Sequence, residues 1–281
     1  GLNMDHIDKR GYLNTDYLLF HINDRSKDEH SFHYHEFDKI VVLLSGKASY
    51  IIEGREYFLE PGDVLFVNHH DIHKPVIDPD EPYNRIVLWI NRDFLTTRST
   101  DDCDLSLCFK LSGDAKCLFR PDAPDRERCM RLLLELEEEL SAGRYGAKTA
   151  SDAALIRYLI SLDRAMTSAD ANTDIPFRCD RKIADILTYI NSNLQADLSC
   201  DSLAARFFLS RSYLMHRFRA ETGYTLHSYV LQKRLFFSRK LLEEGFSINE
   251  AALASGFADY TTYLRAFKKV FNCLPSDFND K

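Results

Sequence analysis

The chain has 281 residues, a hydrophobic fraction of 45% and a formal net charge of −7, enough for one large or two ordinary domains with real cores. Its seven cysteines, an odd number with no C-x-x-C pair, argue against a disulfide framework or a zinc finger and for reduced thiols in the cytoplasm. No apolar run reaches the roughly 18 residues of a membrane helix, and the start, GLNMDHIDKRGYLN, lacks the basic-then-apolar order of a signal peptide.

The charge is unevenly spread. From Pro176 onward 15 basic residues stand against 11 acidic ones, while the remainder balances at −11. An acidic front and a mildly basic back suggest two domains with different partners.

The first hundred residues read as β. KIVVLLSGKASYIIEGREYFLEPGDVLFVNHHDIHKPV alternates short β-branched and aromatic runs with turns at Ser45-Gly46, Glu53-Gly54 and Pro61-Gly62-Asp63. Such short, evenly spaced strands predict an antiparallel barrel or sandwich. Tyr83 to Asn91 adds a further strand. From Asp125 the period becomes helical: Met130, Leu133, Leu134 and Leu140 share a spine, and Gly143 stops it. TASDAALIRYLISLDRAM is a second amphipathic helix. The pair serves either ordinary packing or a dimer interface. Thr167 to Pro176 is small and polar and reads as a linker. Everything after it reads as helical.

That last part contains a repeat. Ser199 and Ala204 align with Ser247 and Ala252 at an offset of 48. After one extra residue near Gly256, Ser210, His216 and Phe218 align with Asp259, Arg265 and Phe267 at an offset of 49, and Gly223 with Asn272. Each unit predicts a short helix, a turn and a second helix. Ser247 and Glu250 have capping-box spacing, Ser210 and Asp259 suit N-caps, and Gly223 and Asn272 suit left-handed C-caps. Leu214 with Phe218, and Tyr263 with Phe267, face a core. Helix-turn-helix units that read DNA place the second helix in the major groove. Between the units, Leu226 to Gly245 reads as one long helix that would hold both readers at a fixed separation.

KRLFFSRKLLEEGFSINEAALASGFADYTTYLRAFKKVFNCLPSDF, Lys233 to Phe278, resembles the AraC/XylS family of bacterial transcription regulators. The likeness is carried by Arg234-Leu235, Ile248, Ala251, Gly256-Phe257, Tyr263, Phe267, Phe271 and Pro275. LSRSYLMHRFRAETG resembles the family's first unit. Asn272 stands where the family usually has glycine. The resemblance implies that Arg211, Ser212, Met215 and His216 face DNA from the first recognition helix. From the second it implies Tyr260, Thr261, Leu264 and Arg265. Met215 and Leu264 could instead be core. Arg217, Arg219, Lys268 and Lys269 would touch phosphates or solvent.

The front domain clusters His30, His33 and His35, then His69, His70 and His73. With Pro61-Gly62-Asp63 this resembles the cupin barrel, a common sensor domain in that family. Metal-binding cupins add a glutamate shortly after the H-x-H pair, and Lys39 occupies that place. Asp38 is no substitute, because a one-residue shift along a strand reverses the face. An ammonium beside a divalent ion is unfavourable, so no metal is expected. The resemblance implies a small effector, often a sugar, near His33, His35, Lys39, Tyr50, His73 and Trp89. If Lys39 faces the pocket, an anionic ligand such as a uronate is favoured.

The expected fold class is α+β in two domains: a cupin-like β-barrel plus helices, then an all-α domain with two helix-turn-helix units. The expected boundaries are 1–122 for the barrel, 123–166 for a helical dimerisation segment, 167–178 for the linker and 179–281 for the DNA-binding domain, with its units at about 198–223 and 246–272. The expected function is a sequence-specific transcriptional regulator, more often an activator, responding to a carbohydrate. A metal-dependent cupin enzyme fused to a DNA-binding domain is the alternative. Otherwise no enzyme activity and no cofactor are expected. The expected partners are double-stranded promoter DNA, a small-molecule effector, a second copy of the chain and RNA polymerase, with no membrane.

Overall fold

A computed structural model describes residues 7–25, 30–113, 115–168 and 170–278. The chain divides into two compact units. One comprises Lys9–His30 with Tyr34–Arg178. The other comprises Cys179–Lys281 with Ser31–His33 and the segment ending at Asp8.

Strands come first: β1 Asp8–Lys9, β2 Tyr17–Asp24, β3 His33–Tyr34, β4 Asp38–Ser45, β5 Ala48–Ile52, β6 Arg55–Leu59, β7 Val64–Val67, β8 His73–Ile77 and β9 Tyr83–Ile90. Then follow α1 Arg92–Arg98, α2 Leu107–Leu111, β10 Leu118–Phe119, α3 Ala123–Ala142, α4 Ala147–Thr167 and β11 Phe177–Cys179. Glu53 and Gly54, with φ of 48° and 77°, close the β5–β6 hairpin. Two left-handed residues give that tight turn the twist its strands need.

Two antiparallel sheets build the barrel. One has the order β10-β7-β4-β9-β2, and in the other β5 lies between β6 and β8. Alternation along β4 sorts its side chains. Ile40 and Val42 join the cluster shared with Leu132, Leu133 and Leu136 of α3 and Leu155, Tyr158 and Leu159 of α4. Val41 and Leu43 point the other way, into the barrel with Tyr50, Ile52, Tyr57 and Leu65. Each burial of a large apolar side chain contributes about 1.5–3 kcal/mol, so this two-sided strand fixes the register of the whole sheet.

Two expectations change here. Leu134 and Leu140, expected on the α3 spine, are 45% and 44% exposed, and the buried stripe runs through Cys129, Leu132, Leu133 and Leu136. Four leucines in a short run satisfy more than one helical stripe, and the sheet selects one. The stretch expected to be a linker is also tied down. Ile175 lies in the barrel cluster, and Arg120 N–H donates to the Asn172 carbonyl at 3.2 Å. After it, Phe177–Cys179 is strand rather than helix.

The second unit holds α5 Arg181–Ser192, α6 Cys200–Arg206, α7 Arg211–Thr222, α8 Leu226–Glu243, α9 Ile248–Ala254 and α10 Tyr260–Phe271, then a 3-10 turn at Pro275–Phe278. No helix among the described residues is long and apolar enough to cross a membrane. None of the seven cysteines is joined in a disulfide.

Candidate DNA-reading face and effector barrel

Both helix pairs form as the sequence pattern predicts, and caps fix where each second helix begins. Ser210 Oγ accepts from the Tyr213 N–H at 3.1 Å, and Asp259 Oδ2 from the Thr262 N–H at 2.7 Å. Ser247 and Glu250 make both bonds of a capping box. Gly223 and Asn272 end the helices at φ of 80° and 56°. Leu214, Phe218, Tyr263 and Phe267 are fully buried, which turns the opposite faces outward.

On α7 the outward face carries Arg211, Ser212, Met215 and His216, all exposed, with Met215 at 52%. They share a cleft of about 1230 Å³ with Thr225 and Arg234. On α10, Tyr260, Thr261 and Arg265 are exposed. Leu264 is only partly exposed and packs against the cluster of Leu235, Leu242 and Phe267. Met215 therefore stands clear of the core and Leu264 is shared with it. Arg217 is not free for phosphate: its Nε donates to Asp180 Oδ2 and its Nη2 to Glu221 Oε1, each at 2.8 Å. It fastens α7 to the N-cap of α5. Arg219, Lys268 and Lys269 are exposed. Arg211 meets Asp201 at 3.0 Å, an exposed pair that a phosphate or base can displace at little cost.

The two readers are braced by a contact that sequence spacing does not show. From α8, Arg234 donates to the Leu194 carbonyl at 2.9 Å and the Ala196 carbonyl at 2.8 Å. Gly256, in the second reader's turn, presses on the same place. A Cβ there would lie 2.2 Å from the Leu194 oxygen and 2.9 Å from Arg234 Nε. The loop before the first reader, the shared helix and the second reader's turn thus meet at one guanidinium. Arg234 and Gly256 both stood in the resembling motif, but their contact needs the fold.

Inside the barrel, strand register sets what shares a face. Lys39 is the cross-strand partner of Val67 and Trp89, and Leu43 of Arg85. Tyr50 faces Pro75 across β8, and Ile52 faces His73. Lys39 and Trp89 keep some exposure while Ile40, Leu88 and Ile90 behind them are sealed, so solvent reaches this end of the interior. Burial lowers the Lys39 ammonium to about 8, with the Arg85 charge adding to the effect. Phe37 stacks on Trp89 at 4.4 Å and on His35 at 4.6 Å, and the His35 and His73 rings lie 4.9 Å apart. The Nδ1 atoms of His35 and His73 donate to the Arg10 and Asp71 carbonyls at 2.6 and 2.8 Å. The fold thus brings together His35, Lys39, Tyr50, His73 and Trp89. His33 belongs to the segment Ser31–His33, and its Nδ1 donates to the Ser31 carbonyl at 2.8 Å. Asp38 faces away and takes His69 at 2.8 Å. Tyr83 and Arg85 were not anticipated. The Tyr50 and Tyr83 hydroxyls meet at 2.9 Å, and Arg85 pairs with Asp24 at 2.6 Å.

A β-barrel whose interior admits solvent, carried on one chain with paired helix-turn-helix units, defines a two-module regulator class. The model of the AraC-like ligand-binding domain matches residues 17–157, and a helix-turn-helix domain model matches 203–281. The chain belongs to the AraC family of DNA-binding transcription regulators. It is similar to the HTH-type transcriptional activator RhaS of Salmonella typhimurium, 25% identical over 246 residues that cover 87% of this chain and 86% of that one. It also matches ToxT of Vibrio cholerae at 18% identity and TM-score 0.39, covering 96% and 97% of the two chains. The C-terminal domain of the response regulator yesN from Fusobacterium nucleatum matches 36% of this chain over its whole length, at 25% identity and TM-score 0.34.

Proposed function

We propose that this chain is an effector-dependent transcriptional activator, acting in the cytoplasm, that reads two adjacent major grooves and responds to a small carbohydrate-type molecule in its barrel. The carrying observation is the pair of exposed, register-matched faces on α7 and α10, braced through α8 by Arg234. Arg211, Ser212, Met215 and His216 would read one groove, and Tyr260, Thr261, Leu264 and Arg265 the next. Successive major grooves on one DNA face lie about 34–36 Å apart. The barrel would bias presentation of the readers, which requires that the effector bind the two arrangements with different affinity. The exposed Leu134 and Leu140 of α3 support a homodimer through the helices at 123–166. RNA polymerase is the partner that an activator bound at a promoter would engage. No catalytic residue is assigned.

The test is selection of DNA from a random library by the full-length protein, with and without candidate sugars, followed by binding of the enriched site over a salt series. Two boxes about one helical turn, roughly 10.5 base pairs, apart are expected. A single box, or binding that follows salt alone with no enriched sequence, would overturn the paired-reader reading.

A further inference from the structure

The inward face of β4 places a positive charge that no carboxylate pairs with among the described residues. Lys39 makes no ion pair or hydrogen bond among the described residues, and its Nζ stands 5.6 Å from the centre of the Tyr50 ring. The buried carboxylates of the same unit are committed elsewhere. Asp38 holds His69, Glu56 holds Ser49, Asp63 holds Arg120, and Asp152 holds Tyr17 and Lys148. Asp163 lies among the helices beside Cys108. The other inward-facing cation, Arg85, already has Asp24. A partly desolvated ammonium without an anion is costly, and a ligand that brings the anion offsets that cost.

We infer that the effector of this barrel is a sugar-sized carboxylate whose charged group pairs with the Lys39 ammonium between Tyr50 and Trp89. This rests on reading the barrel as the effector domain. Aromatic faces suit the apolar face of a sugar ring, and a few placed polar groups set orientation. One unmatched ammonium fits one negative charge. A phosphate monoester carries about −1.5 to −2 at neutral pH, and no second unmatched cation faces it among the described residues.

The experiment measures affinity and thermal stabilisation of the full-length protein with paired compounds: galacturonate and galactose, glucuronate and glucose, and glucose 6-phosphate. The wild type is compared with Lys39→Met. The expected result is that a sugar acid binds at least about 30-fold tighter than its neutral parent and that K39M removes the difference, as for loss of one partner of a buried charge pair. K39M alone is expected to melt higher than ligand-free wild type, which shows that the variant folds. Equal binding of acid and parent, acid binding unchanged in K39M, or preference for the phosphate would each overturn the inference while leaving the barrel as a sensor. No response to any compound, with K39M no more stable than wild type, would remove both. His35 and His73 stand in the same interior, so bound metal is assayed in parallel. Acid binding abolished by chelation but kept in K39M would place the carboxylate on a metal and overturn the inference.

Discussion

Phe208 occupies the turn position where the repeat has Gly256. Phe208 N–H bonds to Ala205 O and Gly256 N–H to Leu253 O, so the two turns match at an offset of 48, and the extra residue is Ala258. Phe208 holds φ of 57° and is 94% exposed. A bulky residue in the left-handed region costs on the order of 1–3 kcal/mol, with no buried contact in return. Phe208→Gly is therefore expected to raise stability by about 1 kcal/mol, read as a higher urea midpoint with unchanged m-value. At the DNA face, Arg265→Ala should cost about 1–3 kcal/mol at the cognate site and relax preference at one base position. Equal loss on scrambled DNA would make Arg265 a phosphate contact. Lys39 gives a pH test. The groups that face it are Arg85 with Asp24, the Tyr50 and Tyr83 hydroxyls, His35 and His73. Its ammonium is lowered to about 8, so the ligand-free protein loses this charge as pH rises through that value. Sugar-acid affinity should fall about tenfold from pH 7 to pH 9, and K39M should flatten the profile.

At the scale of elements, the repeat was legible because capping and helix termination are local chemistry. Ser210, Ser247, Asp259, Gly223 and Asn272 each stand at the helix ends that their side chains or backbone freedom suit. The β-turns at Glu53-Gly54 and Pro61-Gly62 were legible for the same reason. The α3 stripe was not, because both Leu133 and Leu134 fit a helical period and only the sheet beneath decides between them. Arg217 was read as a solvent or phosphate contact, and its ion pair with Asp180 was not legible, since nothing in sequence spacing brings Asp180 beside it. The brace at Arg234 belongs to this scale. Arg234→Met would leave two partly buried carbonyls without their donor, a loss of about 1–3 kcal/mol. Binding to a two-box site should fall more than binding to either box alone, because the readers lose their fixed spacing. Gly256→Ala meets both a 2.2 Å clash and a left-handed backbone, and should destabilise the second reader further than Arg234→Met does.

At the scale of the whole molecule, one buried acid links stability to pH. Asp163 of α4 is 8% exposed beside Cys108, and burial raises its carboxyl to about 7. The unfolded chain ionises this group near pH 4, while the folded protein keeps it neutral to about pH 7. Between those values the folded state binds more protons, so this group's contribution to stability falls as pH rises. Asp163→Asn should flatten that slope and raise stability above pH 7 by about 1–2 kcal/mol, measured as denaturant midpoints from pH 5 to 8. The linker reading illustrates the limit of composition at this scale. A small polar run looked unattached, yet one isoleucine, Ile175, finds the barrel core.

The sequence by itself determined the helix-turn-helix repeat, the barrel's turns and the family, because caps, left-handed turns and strand alternation act over a few residues. Only the tertiary structure decided that Arg234 braces both readers, that Arg217 pairs with Asp180, that Leu134 and Leu140 lie outside the core of this chain and that Lys39 points into the barrel with no ion pair among the described residues. Those outcomes depend on which distant groups share a desolvated space, and the cost of an unpaired charge or a lost contact there follows from neighbours that chain order does not specify.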